Sequence, residues 1–173
     1  MKIRIAITAD IPRISEVMRE SMAALGARYY DERQTESAVR YIAIVDPQLI
    51  DDQTYFVVED DDEIIACGGW SKRATLFTGT GASDARSLDP DREPARVRAM
   101  FVLPADARRG AGRMILDASE DAARDAKFRK VELMATLPGQ PLYEACGYAV
   151  IERVEITLPD GVRLPCAKME KSL

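Results

Sequence analysis

The chain has 173 residues, with 24 Lys and Arg against 29 Asp and Glu, a formal charge of -5, 47% hydrophobic residues and no histidine. That length predicts one domain, 1–173, with a sizeable core, and the acidic balance argues against nucleic acid, whose phosphates call for a basic surface. The missing histidine excludes Ser-His-Asp, Cys-His and histidine–metal chemistry, leaving acid–base work to carboxylates, Tyr, Lys, Cys or water.

Residues 2–7 alternate as a strand, and Asp10 with Pro12 then marks a helix start. Ile14, Val17, Met18, Met22 and Leu25 follow at helical spacing as far as Gly26. A short second helix is predicted over 36–45, with Val39, Ile42 and Ala43 inward and Pro47 as its break. Residues 54–58 and 64–70 read as a hairpin around Glu59-Asp60-Asp61-Asp62-Glu63. Five acids in a row are read as a solvated tip, and no metal site is assigned. Gly68-Gly69 within the second strand signals a bulge or a close approach of another backbone or a ligand. Residues 72–93 form an irregular loop longer than a hairpin needs, which suits a lid or a binding loop. Gly79-Thr80-Gly81 inside it is taken as a flexible turn.

The reading centres on 94–128, a strand, a glycine-containing turn and a long helix. Alternation would send Val97, Ala99, Phe101 and Leu103 one way and Arg96, Arg98, Met100 and Val102 the other, until Pro104 ends the ladder. Ile115, Ala118, Ala122 and Ala126 would form the inner face of the helix, with Asp117, Glu120, Asp121 and Arg124 on the other faces. Between strand and helix lie Arg108, Arg109, Gly110, Ala111, Gly112 and Arg113. A helix start presents unpaired N–H groups and partial positive charge, and glycine admits a bulky anion, so this turn suits a phosphate or pyrophosphate. It is neither a P-loop, since no glycine precedes a lysine, nor a Rossmann fingerprint, since Ile115 stands where a third glycine belongs.

Residues 129–135 read as a strand parallel to 95–103, the helix forming the crossover. After a turn at 136–141, Pro141 opens a short helix holding Leu142, Tyr143 and Ala145, closed by Gly147. Residues 149–158 and 162–169 form a last hairpin around Pro159-Asp160-Gly161. Cys67, Cys146 and Cys166 are odd in number and widely spaced, giving neither a disulfide framework nor a zinc pattern. With no leader-like or long apolar segment, the expected setting is a reducing cytoplasm, away from membranes.

Arg109-Gly110-Ala111-Gly112-Arg113-Met114, after a strand ending Val102-Leu103-Pro104, is similar to the Q/R-x-x-G-x-G/A signature of the GNAT superfamily of acyl-CoA N-acyltransferases, departing from it at Met114. Leu142-Tyr143-Glu144-Ala145-Cys146-Gly147-Tyr148 resembles the same family's F/L-Y-x-x-x-G-F/Y segment. The resemblance implies an α+β, three-layer αβα fold. Its mixed, mostly antiparallel twisted sheet of six to seven strands would splay between two central parallel strands and be flanked by about four helices.

By the same resemblance, acetyl-CoA (coenzyme A) is the cofactor. Its phosphates would meet the N–H groups of Gly110, Ala111, Gly112, Arg113 and Met114 and the side chains of Arg108, Arg109 and Arg113. Phe101 and Val102 would offer main-chain groups to the pantetheine arm, and Tyr143 would be the general acid for the leaving thiolate. Tyr29, Tyr30 and Glu32 in the connection at 27–33, together with Trp70, fall on the acceptor side. A surface loop with half-buried tyrosines and a core tryptophan with its N–H satisfied remain the plain alternatives. The general base is unassigned, with Glu132 acting through water as the candidate. The acceptor would be a primary amine of a small molecule or peptide, and a homodimer is compatible with the fold. A weakly catalytic acyl-CoA binder or sensor on the same fold, and an unrelated α/β protein with an anion site, stay open.

Overall fold

The computed structural model describes residues 1–76 and 86–173. The Gly79-Thr80-Gly81 turn and the middle of the loop expected at 72–93 lie outside the described residues.

Strand β1 (Lys2–Ile5) leads through a single 3-10 turn to α1 (Ile11–Gly26). Asp10 stands at the N-cap position, yet its carboxylate is occupied elsewhere. It accepts from the Ile7 N–H at 2.8 Å and from the Arg4 guanidinium at 2.7 and 3.0 Å. Helix α2 (Glu32–Tyr41) starts four residues ahead of the expected helix. The reason is a capping box: Asp31 accepts from Gln34 N at 2.7 Å, and the Gln34 side chain accepts from Asp31 N at 3.2 Å. Its buried face is therefore Ser37 and Ala38, with Val39 and Ile42 only half-buried. After it, Asp46 caps the short α3 (Pro47–Asp51).

Strands β2 (Tyr55–Asp60) and β3 (Glu63–Ser71) form the expected hairpin. Asp61 and Asp62 both have positive φ, 48° and 64°, which is the backbone of a type I′ turn. The neighbouring acids are neutralised locally. Glu59 binds Arg4 at 2.6 Å, and Asp60 binds both the N-terminal amine at 3.1 Å and Arg109 at 2.7 Å. The glycine pair in β3 is a close approach: a Cβ on Gly69 would stand 2.1 Å from Thr54 O, and one on Gly68 would stand 2.3 Å from Met100 Sδ.

Strand β4 (Ala95–Val102) breaks the simple alternation. Gly69 pairs with Arg98 and Cys67 with Phe101, so Ala99 and Met100 together oppose Gly68. This is a β-bulge, with Ala99 in the left-handed region at φ 52° and its carbonyl held by the Tyr55 hydroxyl at 2.8 Å. One extra residue reverses side-chain parity beyond it. Val97 and Phe101, expected on one face, consequently join different core clusters.

A second 3-10 turn at Pro104–Asp106 and an exposed loop deliver the chain to α4 (Ala111–Asp125), whose N-cap is Gly110 at φ 97°. Its buried face is Ile115, Leu116, Ser119, Glu120 and Ala123, rotated from the expected one; Ala118, Ala122 and Ala126 are half-buried. Glu120, expected outward, is 3% exposed. It accepts from Lys171 Nζ at 2.6 Å and from the Tyr148 hydroxyl at 3.1 Å, the paired environment that a buried carboxylate needs.

Strand β5 (Lys130–Thr136), helix α5 (Gln140–Ala145) and the hairpin β6 (Ala149–Thr157) and β7 (Arg163–Ser172) complete the chain. Seven strands make one sheet in the order β1-β2-β3-β4-β5-β7-β6. Every neighbouring pair is antiparallel except β4 and β5, and helices flank the sheet, five of them α-helices among the described residues. The parallel pair meets only at Ala95↔Val131 and Arg96↔Glu132. Beyond Arg96 the two strands part.

Candidate active site

The parting of β4 from β5 opens a cleft of about 450 Å³. One wall is β4 at Met100, Phe101 and Val102, and another is α5 with the turn before it, from Thr136 to Ala145. A third is the C-terminal half of α1 with Arg28 and Tyr29, and the last is the start of α4. Because β5 has moved off, the edge of β4 facing it carries no strand partner past Arg96 among the described residues, leaving main-chain groups there open to another partner.

The turn before α4 presents a run of main-chain donors. The first N–H used inside the helix belongs to Met114, which donates to Gly110 O at 3.0 Å. The N–H groups of Ala111, Gly112 and Arg113, one residue after another, precede that bond. Gly112 packs tightly, since a Cβ there would stand 2.9 Å from Leu142 Cδ2 and 3.4 Å from Val102 Cγ2. Gly110 supplies the left-handed backbone that swings the chain into the helix. Arg108 and Arg113 line the cleft, Arg113 also donating to Ala145 O at 3.2 Å.

Two residues of the motif serve other ends. Met114, with its N–H spent inside the helix, packs its side chain against the first core cluster and does not line the cleft. The Arg109 guanidinium is bound by Asp106 and Asp60, which tie the turn to the β2–β3 hairpin and push the Arg109 pKa up from its ordinary value. It too is absent from the lining.

Tyr143 reaches the cleft from α5, with only 7% of its surface exposed and its ring edge-on to Tyr148 at 5.8 Å. Burial, with the neighbouring Cys146, pushes its pKa above the usual phenol value, so the hydroxyl keeps its proton at neutral pH.

The acceptor-side candidates separate. Tyr29 is exposed and lines the cleft. Tyr30 is buried, and its hydroxyl donates to Pro165 O and accepts from Leu137 N, both at 2.8 Å, as a tie between the α1–α2 connection, β7 and the turn after β5. Trp70 lies in the second core cluster, edge-on to Phe128 at 6.1 Å and outside the cleft lining, and its indole N–H has no partner among the described residues. Glu32 is the exposed first residue of α2. Glu132 is 6% exposed and bound by Arg96 and by Lys168 at 2.8 Å.

A smaller cavity of about 70 Å³ shares Met100, Phe101, Thr136 and Tyr143 with the cleft and continues past the bulge to Ile42, Leu76, Val97, Arg98 and Met134. Sequence reading passed over Arg98, because an arginine in an alternating strand reads as solvent-facing. Met22 and Leu25 likewise read from sequence only as helix positions.

The Acetyltransferase (GNAT) family matches residues 15–148. The chain belongs to that family. Solved GNAT folds align along nearly its whole length. A GCN5-related N-acetyltransferase from Rhodopseudomonas palustris superposes with a TM-score of 0.75 at 17% identity, covering 99% of this chain and 95% of that one. The PaiA N-acetyltransferase from Thermoplasma acidophilum, in complex with coenzyme A, gives 0.68 at 16% identity over 99% and 98%. A putative acetyltransferase, yncA, from Salmonella typhimurium with acetyl-CoA gives 0.66 at 18% identity over 100% and 94%. No curated protein sequence matches this GNAT chain. No helix among its described residues is long and apolar enough to cross a membrane.

Proposed function

We propose that this GNAT chain is a cytoplasmic acetyltransferase that takes acetyl-CoA as donor and a primary amine of a small molecule or peptide as acceptor. One observation carries the reading: a single cleft joins the unpaired N–H groups at the start of α4, the partnerless edge of β4 and the Tyr143 side chain.

Coenzyme A fits these residues end to end. Its pyrophosphate suits the N–H groups of Ala111, Gly112 and Arg113, with Arg108 and Arg113 adding charge. Its pantetheine arm carries amides able to pair with main-chain groups at Phe101 and Val102 as an added strand would. Bound acetyl-CoA supplies an acetyl group activated as a thioester. Tyr143, kept protonated by burial, holds a proton at its hydroxyl oxygen for the departing thiolate. Met22 and Leu25 bring apolar wall to the cleft from α1.

Calorimetric titration with acetyl-CoA, followed by thiol release in the presence of amines, tests the reading. Gly112→Arg places a long side chain where even a Cβ crowds Leu142, and is expected to abolish binding. Arg108→Glu, at an exposed position, reverses one cleft charge without touching the core and is expected to weaken affinity by about tenfold. Undiminished affinity in both folded variants would refute the cofactor assignment.

A further inference from the structure

Arg98 is a strongly buried cation beside the point where the two strands part. It is 6% exposed, lines the small cavity beyond the bulge, and its Nε–H has no hydrogen-bond partner among the described residues. Its Nη1 is ion-paired with Asp46 Oδ2 at 2.9 Å, while Asp46 Oδ1 accepts from Gln48 N at 3.0 Å. Asp46 is thus anchored by the cap of α3 and fixes the guanidinium in place. The Asp46 charge does not fully offset what Arg98 loses on leaving water: burial is the largest influence on its pKa and lowers it. A buried donor without an acceptor is costly, and a buried cation still short of negative charge is completed by an anion.

The cavity's position says which molecule supplies that anion. It meets the cofactor cleft at Met100, Phe101, Thr136 and Tyr143, so a ligand seated against Arg98 has its other end beside Tyr143. We propose that Arg98 binds a carboxylate on the acceptor, so that the preferred substrate is a small amine bearing a carboxylate, an amino-acid-like molecule whose amine points to the Tyr143 end. Arg98 is then a specificity-determining residue. A planar guanidinium matches a carboxylate in a way that lysine does not. The bulge at Ala99–Met100 contributes too, because it sets Arg98 and Phe101 on the same parity of the strand. The inference rests on the acetyltransferase reading above.

The test is steady-state thiol release with a matched panel, small amino acids against their carboxamides and the corresponding decarboxylated amines, and acetyl-CoA affinity is measured separately by calorimetry. The native chain is expected to favour the carboxylate member by roughly 10- to 100-fold in kcat/KM, mostly through KM. Arg98→Lys should lose most of that preference while acetyl-CoA affinity holds. Asp46→Asn, which leaves Arg98 in place with less competing negative charge, should lower KM for the carboxylate member. If the carboxamide or the decarboxylated amine is used as well as the amino acid, or if Arg98→Lys keeps the native preference, Arg98 is a structural ion-pair partner and the proposal fails. A chain that binds acetyl-CoA yet turns over only uncharged amines refutes this inference alone. A chain that binds no acetyl-CoA refutes the reading beneath it as well.

Discussion

Tyr55→Phe removes one oxygen, and the structure says what that oxygen does. Tyr55 is 1% exposed, and its hydroxyl donates to Ala99 O at 2.8 Å, at the residue that forces the bulge in β4. Deleting it forfeits a hydrogen bond worth about 1 kcal/mol net and leaves a partly buried carbonyl unpaired at a further cost of about 1 kcal/mol. A loss near 2 kcal/mol in a chain of this size lowers Tm by about 4–8 °C. The left-handed backbone at Ala99 supplies a control of opposite sign. An L-residue there bears about 1–2 kcal/mol of strain, whereas glycine adds about 0.5–1 kcal/mol of unfolded-state entropy. Ala99→Gly should therefore be neutral or slightly stabilising, where the same change in an ordinary strand costs about 0.5–1 kcal/mol. Urea denaturation of the three proteins measures both. A Tyr55→Phe loss below about 0.5 kcal/mol, or a destabilising Ala99→Gly, would show that the bulge is not held in this way.

Lys171→Met strips the buried Glu120 carboxylate of its closest cation, found at 2.6 Å, and should cost about 3 kcal/mol by denaturant titration; near-neutral behaviour would mean that Arg124 and Tyr148 suffice. Arg4 holds the Asp10 carboxyl below the ordinary carboxylate range by hydrogen bonding. A folded pKa depressed below the unfolded value of about 3.9 gives stability that is present at neutral pH and lost as pH falls through the folded pKa. Arg4→Met should hence be less stable than the parent at pH 7, with the gap narrowing as acid is added; a gap constant with pH would assign the loss to packing. Tyr143→Phe should lower kcat for acetyl transfer while leaving acetyl-CoA affinity nearly intact, and equal rates in a thiol-release assay would move the proton donor elsewhere.

Elements with a clean period or strong punctuation were readable from sequence. The crossover helix, the Pro141 helix and both hairpins follow from turn residues and spacing, and the glycine turn before α4 from glycines ahead of an apolar stripe. The misses have physical causes. The start of α2 was signalled by Asp31 and Gln34 three residues apart, a cap that apolar periodicity does not register. The rotated face of α4 arises because Glu120 is buried by a cation from β7 and by the phenol of Tyr148, the residue just before β6, partners distant in sequence. The bulge left one trace, since Gly68-Gly69 marks the strand opposite it, but nothing local to Ala99 announces a left-handed backbone. Tyr30 and Arg98 share one lesson. An amphipathic or charged side chain in a loop or an alternating strand reads as surface, and only the folded chain shows what it is buried against.

The separation of β4 from β5 has a mechanical consequence. The sheet's two halves, β1 to β4 and β5 to β6, touch through main-chain pairing over just two residues at one end. At that end Glu132 is gripped by Arg96 from the first half and by Lys168 from the second. Two plates fastened along one short margin change their spacing by turning about it. A rotation about the ion triad would give its largest change in width at the mouth of the cleft. The Tyr30 hydroxyl, bridging Leu137 and Pro165, ties the connection between α1 and α2 to the second plate. Hydrogen exchange should be slowest at the fastened margin and should quicken along β4 toward Val102.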